Sequence, residues 1–266
     1  MVGTSDNLFY FKQIDENQFQ ACDPARGPWS PDHCHAGPVT GLVARALERA
    51  LPDKMLTRLT LDLVRATPME EVHVFAEIIH EGRTVATGAA EIRDAQGRLC
   101  VSARSMHLSR VEFAEMPTAP ESAPEFGGTI AGAGPLKGSA HGLPTFGAYI
   151  ETTYLPGEED RVGPKTIWMR TPPLLENEAP SPIQSLCPLA DCGNGISYNA
   201  PLGEMSFMNT DLTIHIHREP ESDWLASKSE SHWRRNGVGM SHSVLYDRNG
   251  PVGVALQSLA LRPQKK

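Results

Sequence analysis

The sequence predicts an α+β protein made of two similar halves, in each of which an antiparallel sheet is wrapped around a central helix. Two observations indicate this architecture. The segment 211–261 repeats the segment 58–108 without a gap, and the strand-like segments follow an amphipathic helical segment. A sheet bent around such a helix buries the apolar stripe of that helix.

The repeat is carried by identical residues in a constant register. The matched pairs are Leu59 and Leu212, Thr60 and Thr213, Arg65 and Arg218, Glu77 and Glu230, Val85 and Val238, Asp94 and Asp247, Gly97 and Gly250, Val101 and Val254, Ser105 and Ser258, and Leu108 and Leu261. The same register superimposes two turn sequences, DAQG at 94–97 and DRNG at 247–250. We interpret the chain as a duplicated domain in which only one copy carries a set of polar residues suited to chemistry.

The first half contains one well-marked helix. Apolar residues recur at helical spacing from Val39 to Ala50, Pro38 suits the first turn, and Pro52 prevents continuation beyond Leu51. Alternating and β-branched residues predict strands around this helix, with turns at 81–83 and 94–97. These strands are Leu8–Lys12, Leu56–Arg65, Glu71–His80, Thr84–Arg93 and Leu99–Ser109.

The second half is predicted to follow the same order after a segment rich in Pro, Gly, Ala and Ser. We expect domains at 1–115 and 146–266, joined by a linker at 116–145. A helical segment is expected at Ser181–Asn194. The predicted strands are Phe146–Tyr154, Lys165–Arg170, Met205–His217, Trp224–Trp233, Val238–Tyr246 and Val252–Leu261.

Composition excludes several classes of protein. The chain of 266 residues has a formal charge of −8 and no run of Lys or Arg, which disfavours nucleic acid as a partner. No apolar run approaches the roughly 20 residues of a membrane span, and the N-terminus has no secretory signal pattern, so we expect a cytoplasmic protein. The five cysteines include no CxxC pair, which favours reduced thiols.

Asp191 is the first candidate for chemistry, because it follows an apolar run and is therefore expected to be partly buried. Burial raises the pKa of a carboxyl group, whereas hydrogen-bond donors lower it. If a helix runs from Ser181 through Pro188, Asp191 lies in its last turn and the helix dipole raises the pKa further. If Pro188 instead opens a second helix, the dipole lowers it.

Gln257 and the strand 205–217 supply the other candidates. Gln257 stands in an otherwise apolar strand, and its counterpart in the first copy is Arg104, so the repeat does not require an amide there. Alternation places Asn209, Asp211 and Thr213 on one face, together with His215 and His217. No further ligand at a recognised spacing accompanies those histidines or the sequence DHCH at 32–35, so we expect no metal.

These motifs, taken in order, resemble the double-hotdog acyl-CoA thioesterases of the thioesterase II type. The resemblance rests on Trp29, HCHAGP at 33–38, PLAD at 188–191, NTDLT at 209–213 and Gln257. It implies a tandem hotdog fold in which an Asp, a Ser or Thr, and a Gln of the second half hold the hydrolytic water. By position these residues are Asp191, Gln257 and, where the family has its hydroxyl, Asn209 or its neighbour Thr210.

The resemblance implies hydrolysis of an acyl-CoA thioester to free acid and CoA, with no cofactor. Asp191 would activate water, and backbone N–H groups near Cys192 and Gly193 would stabilise the oxyanion. Three alternatives stay open for the hydroxyl: Asn209 replaces it, a bulge turns Thr210 inward, or the protein is weakly active or a non-catalytic acyl-CoA-binding protein. Association into a homodimer or larger homo-oligomer is also implied.

Overall fold

The computed structural model describes residues 8–126, 136, 138–155, 157–158 and 160–264. The helices are α1 (Ala36–Ala50), α2 (Pro182–Ala190) and the short α3 (Gly193–Ile196). The strands are β1 (Phe11–Asp15), β2 (Gln18–Ala21), β3 (Met55–Leu63), β4 (Glu71–Glu81), β5 (Val85–Asp94), β6 (Leu99–Leu108), β7 (Glu151–Tyr154), β8 (Lys165–Arg170), β9 (Met205–Asn209), β10 (Asp211–Ile216), β11 (Leu225–Trp233), β12 (Val238–Asp247) and β13 (Gly250–Pro263).

The strands form one antiparallel sheet in the order β1-β2-β4-β5-β6-β3-β10-β13-β12-β11-β8-β7, with β9 also paired to β13. The two halves meet at β3 and β10, where Thr60 lies opposite Thr213. The Thr213 hydroxyl donates to the Thr60 hydroxyl at 3.3 Å. The matched threonines of the repeat therefore lie opposite each other. Outward from them, the corresponding strands of the two halves follow in the same order, β3-β6-β5-β4-β2-β1 on one side and β10-β13-β12-β11-β8-β7 on the other.

Helix α1 confirms the helix predicted after Gly37. His35 caps its N-terminus by accepting the Gly37 N–H, while Leu42, Val43 and Leu47 are buried in the core. The start of α1 lies against the end of α2, because a Cβ on Gly37 would come within 2.8 Å of the Pro188 backbone. This close approach requires glycine and brings two distant parts of the chain together at one point.

The predicted strand Met205–His217 is wrong as a single element, because it breaks at Thr210. Asn209 lies opposite Leu259 of β13, and Thr213 lies opposite Leu256. The chain advances four residues from Asn209 to Thr213, while β13 advances only three from Leu259 to Leu256. The extra residue forms a β-bulge. The bulge bends the chain and changes which side chains of β9 and β10 face inward.

Other predicted boundaries also differ. The helical segment 181–194 divides after Ala190, and the first strand begins at Phe11 rather than Leu8. The short strand β2 was not predicted, since its four residues give too little alternation to detect. No helix within the described ranges is long and apolar enough to cross a membrane.

The predicted linker is mostly exposed over its described residues, but its last part is hydrogen-bonded to the loop before α1. Residues 127–135 and 137 lie outside the described residues. Further on, the Ala140 N–H donates to the Pro28 carbonyl at 2.9 Å, and the Phe146 N–H donates to the Arg26 carbonyl at 2.8 Å. The end of this segment is therefore fixed against the loop that precedes α1. The predicted domain boundaries stay a prediction.

Candidate active site

Asp191 lies where the three helices meet. Helix α2 continues through Pro188, and Asp191 is its C-terminal cap, with its N–H donating to the Cys187 carbonyl at 3.3 Å. The first of the two helix arrangements open from the sequence is thus the observed one. The residue is 4% exposed, so its carboxyl group is taken out of bulk water.

Two side-chain amides hold this carboxyl group. Asn209 Nδ2 donates to Asp191 Oδ1 at 2.8 Å. Gln257 Nε2 lies 3.3 Å from the same oxygen and donates to the Asp191 backbone carbonyl at 2.9 Å. Gln257 Oε1 in turn accepts the Asn194 N–H at 3.0 Å, which fixes the orientation of the amide.

Thr210 is placed away from this cluster. The residue is exposed, and its hydroxyl points toward the Ser258 carbonyl at 3.4 Å. Of the four site residues predicted from the sequence, the structure brings Asp191, Asn209 and Gln257 together and leaves Thr210 outside. The bulge after β9 is the physical reason, because it turns Asn209 inward and Thr210 outward.

His35 is a member of the cluster that sequence reasoning did not assign to the site. Its Nδ1 lies 3.1 Å from Asp191 Oδ2. The ring stacks between Phe146, at 4.3 Å between centroids, and Trp29, at 5.8 Å. The available signal was its position directly before α1, within the block 33–38 that carries part of the resemblance.

Burial and hydrogen bonding act in opposite directions on the pKa of Asp191, and burial also changes the pKa of His35. Burial raises the pKa of Asp191 to about 7, although the Asn209 amide, the Gly37 N–H and the Gln257 amide each lower it. Burial lowers the pKa of His35 to about 4. Since Nδ1 accepts the Gly37 N–H at 3.1 Å, the imidazole is neutral there and its contact with Oδ2 is a hydrogen bond when the carboxyl is protonated.

Of the backbone N–H groups near Cys192 and Gly193 that were expected to stabilise an oxyanion, that of Cys192 is already engaged. The Cys192 N–H donates to the Leu189 carbonyl at 3.0 Å, and the Asn194 N–H donates to Gln257 Oε1. The start of α1 offers an alternative. The first N–H groups of a helix have no partner within the helix, and α1 begins beside the Asp191 carboxyl.

The surface above the site is formed by the loop before α1. Trp29 is 65% exposed and covers His35, whereas Asp191, Gln257 and His35 beneath it are each no more than 5% exposed. A separate cleft of about 670 Å³ is lined by Tyr149, Ser185 and Leu189, and none of the cluster residues reaches it.

Comparison with solved structures defines the class of fold. A putative thioesterase from Novosphingobium aromaticivorans is 18% identical over 95% of this chain and 98% of its own, with a TM-score of 0.70. The acyl-CoA thioesterase II TesB2 from Mycobacterium marinum is 14% identical over 95% and 94%, with a TM-score of 0.65. A conserved protein with a hot dog fold from Alicyclobacillus acidocaldarius is 13% identical over 94% and 95%, with a TM-score of 0.70. The chain thus has an α+β hotdog fold.

Family models identify the chain more narrowly. The acyl-CoA thioesterase N-terminal domain matches residues 25–108, and the acyl-CoA thioesterase C-terminal domain matches residues 115–261. The chain belongs to the acyl-CoA thioesterase family and is a thioester hydrolase. No protein of curated function matches its sequence significantly.

Proposed function

We propose that the protein hydrolyses acyl-CoA thioesters to the free acid and CoA, with water activated by Asp191. The observation that carries this proposal is the meeting of Asp191, Asn209 and Gln257, which are distant in sequence, around one buried carboxyl group. The proposal includes a tandem arrangement in which each half is one hotdog unit. The equal strand order on both sides of Thr60 and Thr213 supports it.

In this mechanism the Asp191 carboxylate accepts a proton from water as the water attacks the thioester carbon. A base is most effective when its pKa is close to the working pH, and burial raises the pKa of Asp191 to about 7. The C–S bond then breaks, and the proton held by Asp191 passes to the leaving sulfur of CoA. The carboxylate is restored, so the residue acts catalytically and not as a consumed reagent.

The two amides orient the reacting groups. Gln257 is held by the Asn194 N–H and presents its Nε2 to Asp191, while Asn209 presents its Nδ2 to the same oxygen. We assign to Asn209 the position at which relatives are expected to have a hydroxyl. Thr210 has no part in this mechanism, since its hydroxyl points toward the Ser258 carbonyl.

The N-terminus of α1 polarises the thioester carbonyl in this proposal. The partial positive charge of a helix N-terminus favours a developing oxyanion, and preorganised N–H donors typically contribute about 100-fold or more in rate. Ala36 supplies the first N–H group of α1, beside Asp191, whereas the Gly37 N–H is already held by His35 Nδ1. His35 lies with Nδ1 3.1 Å from Asp191 Oδ2 and is a positioning residue for the protonated form of that carboxyl group.

The test is the release of thiol from a panel of acyl-CoA thioesters, from acetyl to palmitoyl, with analysis of the acid product. We expect stoichiometric release of CoA and free acid from at least part of the panel. Tight binding of the same thioesters without turnover would instead support a non-catalytic acyl-CoA-binding protein.

Two further proposals follow from the family resemblance. We propose that the chain assembles into a homodimer or larger homo-oligomer and that it works in the cytoplasm. Sedimentation equilibrium tests the assembly: a single species with the mass of one chain would contradict it.

A further inference from the structure

The second half of the chain buries a group of serines on the inner face of β11 and β12. These serines are between 0% and 6% exposed. We call them the serine cluster: Ser227, Ser229, Ser231, Ser241 and Ser243. A hydroxyl removed from water costs free energy unless it is hydrogen-bonded, so such a concentration of polar groups inside a core needs a reason.

The fold itself does not require the hydroxyls of Ser241 and Ser243 on β12, as the first half shows. Ser229 pairs with Ser243 and Ser231 pairs with Ser241 across β11 and β12. At the matched positions of β4 and β5, Ala76 pairs with Ala90 and Ile78 pairs with Gly88. Ala76 and Ile78 of β4 are exposed, whereas Gly88 and Ala90 of β5 are buried like Ser241 and Ser243. The buried positions that match Ser241 and Ser243 are thus filled without hydroxyls in the half that lacks Asp191, Asn209 and Gln257.

The serine cluster borders the candidate active site. A Cβ on Gly193, two residues after Asp191, would lie 2.7 Å from Ser243 Oγ, 2.9 Å from Ser241 Oγ and 3.0 Å from Gln257 Oε1. Ser241 also lies opposite Gln257 in the pairing of β12 with β13. The two serines and the catalytic amide therefore pack against the same turn.

Most of the cluster is internally bonded, but Ser241 is not. Ser229 Oγ lies 2.8 Å from both Ser227 Oγ and Ser243 Oγ, and Ser231 Oγ lies 2.7 Å from Ser197 Oγ. Ser241 Oγ is buried and has no hydrogen-bond partner among the residues that the structure describes. A buried, unpaired hydroxyl next to the site points to a polar group of the substrate as its partner.

We propose that the substrate is a hydroxyacyl thioester whose hydroxyl, close to the thioester carbon, hydrogen-bonds Ser241. This inference rests on the proposed function. An alkyl chain in the same place would leave the buried hydroxyl unpaired, at a cost that a hydroxylated chain avoids. A hydroxyl also suits serines because both groups donate and accept, whereas a carboxylate needs a cation. Lys165, which lies opposite Ser229 in the pairing of β8 with β11, contacts the Tyr198 ring at 4.8 Å.

The test compares thioesters that differ only in the hydroxyl: β-hydroxybutyryl-CoA against butyryl-CoA, with succinyl-CoA as the carboxylate. We expect the wild-type protein to turn over the hydroxylated thioester with a kcat/KM about 10-fold above that of butyryl-CoA. Ser241→Ala is expected to bring the ratio of the two kcat/KM values close to one. Ser243→Ala removes a buried hydroxyl that is already paired with Ser229, so this second variant is expected to keep the wild-type ratio.

Ser258→Ala is the matched control, because Ser258 is an exposed serine on the strand that carries Gln257. It should keep the wild-type ratio. A wild-type preference for butyryl-CoA or succinyl-CoA, or a ratio that Ser241→Ala does not change, would overturn the inference.

Failure of the proposed function is recognised separately, as the absence of turnover for every thioester in the panel. In that case the same pairs are compared for binding by titration calorimetry. Tighter binding of the hydroxylated member by the wild-type protein, lost in Ser241→Ala, would still support the role of Ser241. Equal binding of both members would overturn it.

Discussion

At the scale of one residue, the pKa of Asp191 is set by opposing effects of burial and hydrogen bonding. Burial favours its neutral form, while Asn209, the Gly37 N–H and Gln257 favour the carboxylate. The resulting pKa of about 7 leaves the group partly ionised near neutral pH. The proposed activity should therefore rise with pH as Asp191 loses its proton.

Asn209→Ala tests this balance. The variant loses a hydrogen bond to the ionised form, so we expect the apparent pKa of the kcat/KM profile to move upward and the activity to fall about 10-fold below neutral pH. Thr210→Ala is the control, since its hydroxyl lies outside the cluster and should not move the profile. A shift caused by Thr210→Ala but not by Asn209→Ala would reverse the assignment.

Sequence reasoning could find some of these residues but not others. Asp191 and Gln257 stand out as polar residues in apolar segments. The choice between Asn209 and Thr210 depends on a one-residue bulge, which strand alternation cannot predict. His35 could not be assigned because its partner lies in the other half of the chain, and only the packing of α1 against α2 brings them together.

At the scale of elements, the site depends on how α1 docks against α2 and the segment before it. Arg45 of α1 binds Glu178 through two contacts, at 2.6 Å from Nε to Oε1 and 2.8 Å from Nη2 to Oε2. Glu48 accepts hydrogen bonds from Ser181 at 2.9 Å and from Gln184 at 2.7 Å. These contacts join the two halves along the helix that begins at the site.

Arg45→Met is expected to lower the free energy of unfolding by about 1–3 kcal/mol, because it removes charged hydrogen bonds while keeping most of the side-chain volume. Urea unfolding measures this change. Arg49→Met, at an exposed position of the same helix, should change the value by no more than about 0.5 kcal/mol. Equal effects of the two variants would show that the Arg45 contacts do not stabilise the docking.

The elements differ in how well the sequence predicts them. Helix α1 was predictable because its apolar spacing is bounded by Pro38 at the start and Pro52 at the end. The division between α2 and α3 was not, since Pro188 is tolerated inside α2 and the break follows Ala190. The break lies where Asp191 caps the C-terminus of α2 and where Gly193, the first residue of α3, packs directly against Ser241 and Ser243.

For the whole molecule, the duplication separates residues required by the fold from those required by the site. Asp94 and Asp247 occur in both copies and are buried, and each accepts backbone N–H groups of its own turn. Gln257, in contrast, matches Arg104, and the serine cluster matches apolar residues. Repeated residues thus build turns and strand contacts, while unmatched polar residues surround Asp191.

Asp247 should also influence the acid stability of the molecule. Burial raises its pKa, but bonds from Arg218 and from backbone N–H groups outweigh burial and hold the pKa at about 2. The folded value lies below the unfolded value of about 4. The stabilisation is therefore present above about pH 4 and is lost as the pH falls toward 2.

Asp247→Asn is expected to lower the free energy of unfolding at neutral pH and to weaken its dependence on pH in that acid range. Urea unfolding at a series of pH values measures both. The exposed Asp53→Asn is the control and should retain the wild-type dependence. An Asp247→Asn curve parallel to that of the wild-type protein would rule out this contribution.

The most direct measurement is thiol release by the Asp191→Asn variant, compared with the wild-type protein and with Asp62→Asn at an exposed position. The substitution keeps the size of the side chain and removes the proton acceptor. We predict that kcat falls about 100-fold or more while the fold is retained and Asp62→Asn stays fully active. Full activity of Asp191→Asn would contradict the role of this carboxylate as the base that activates water.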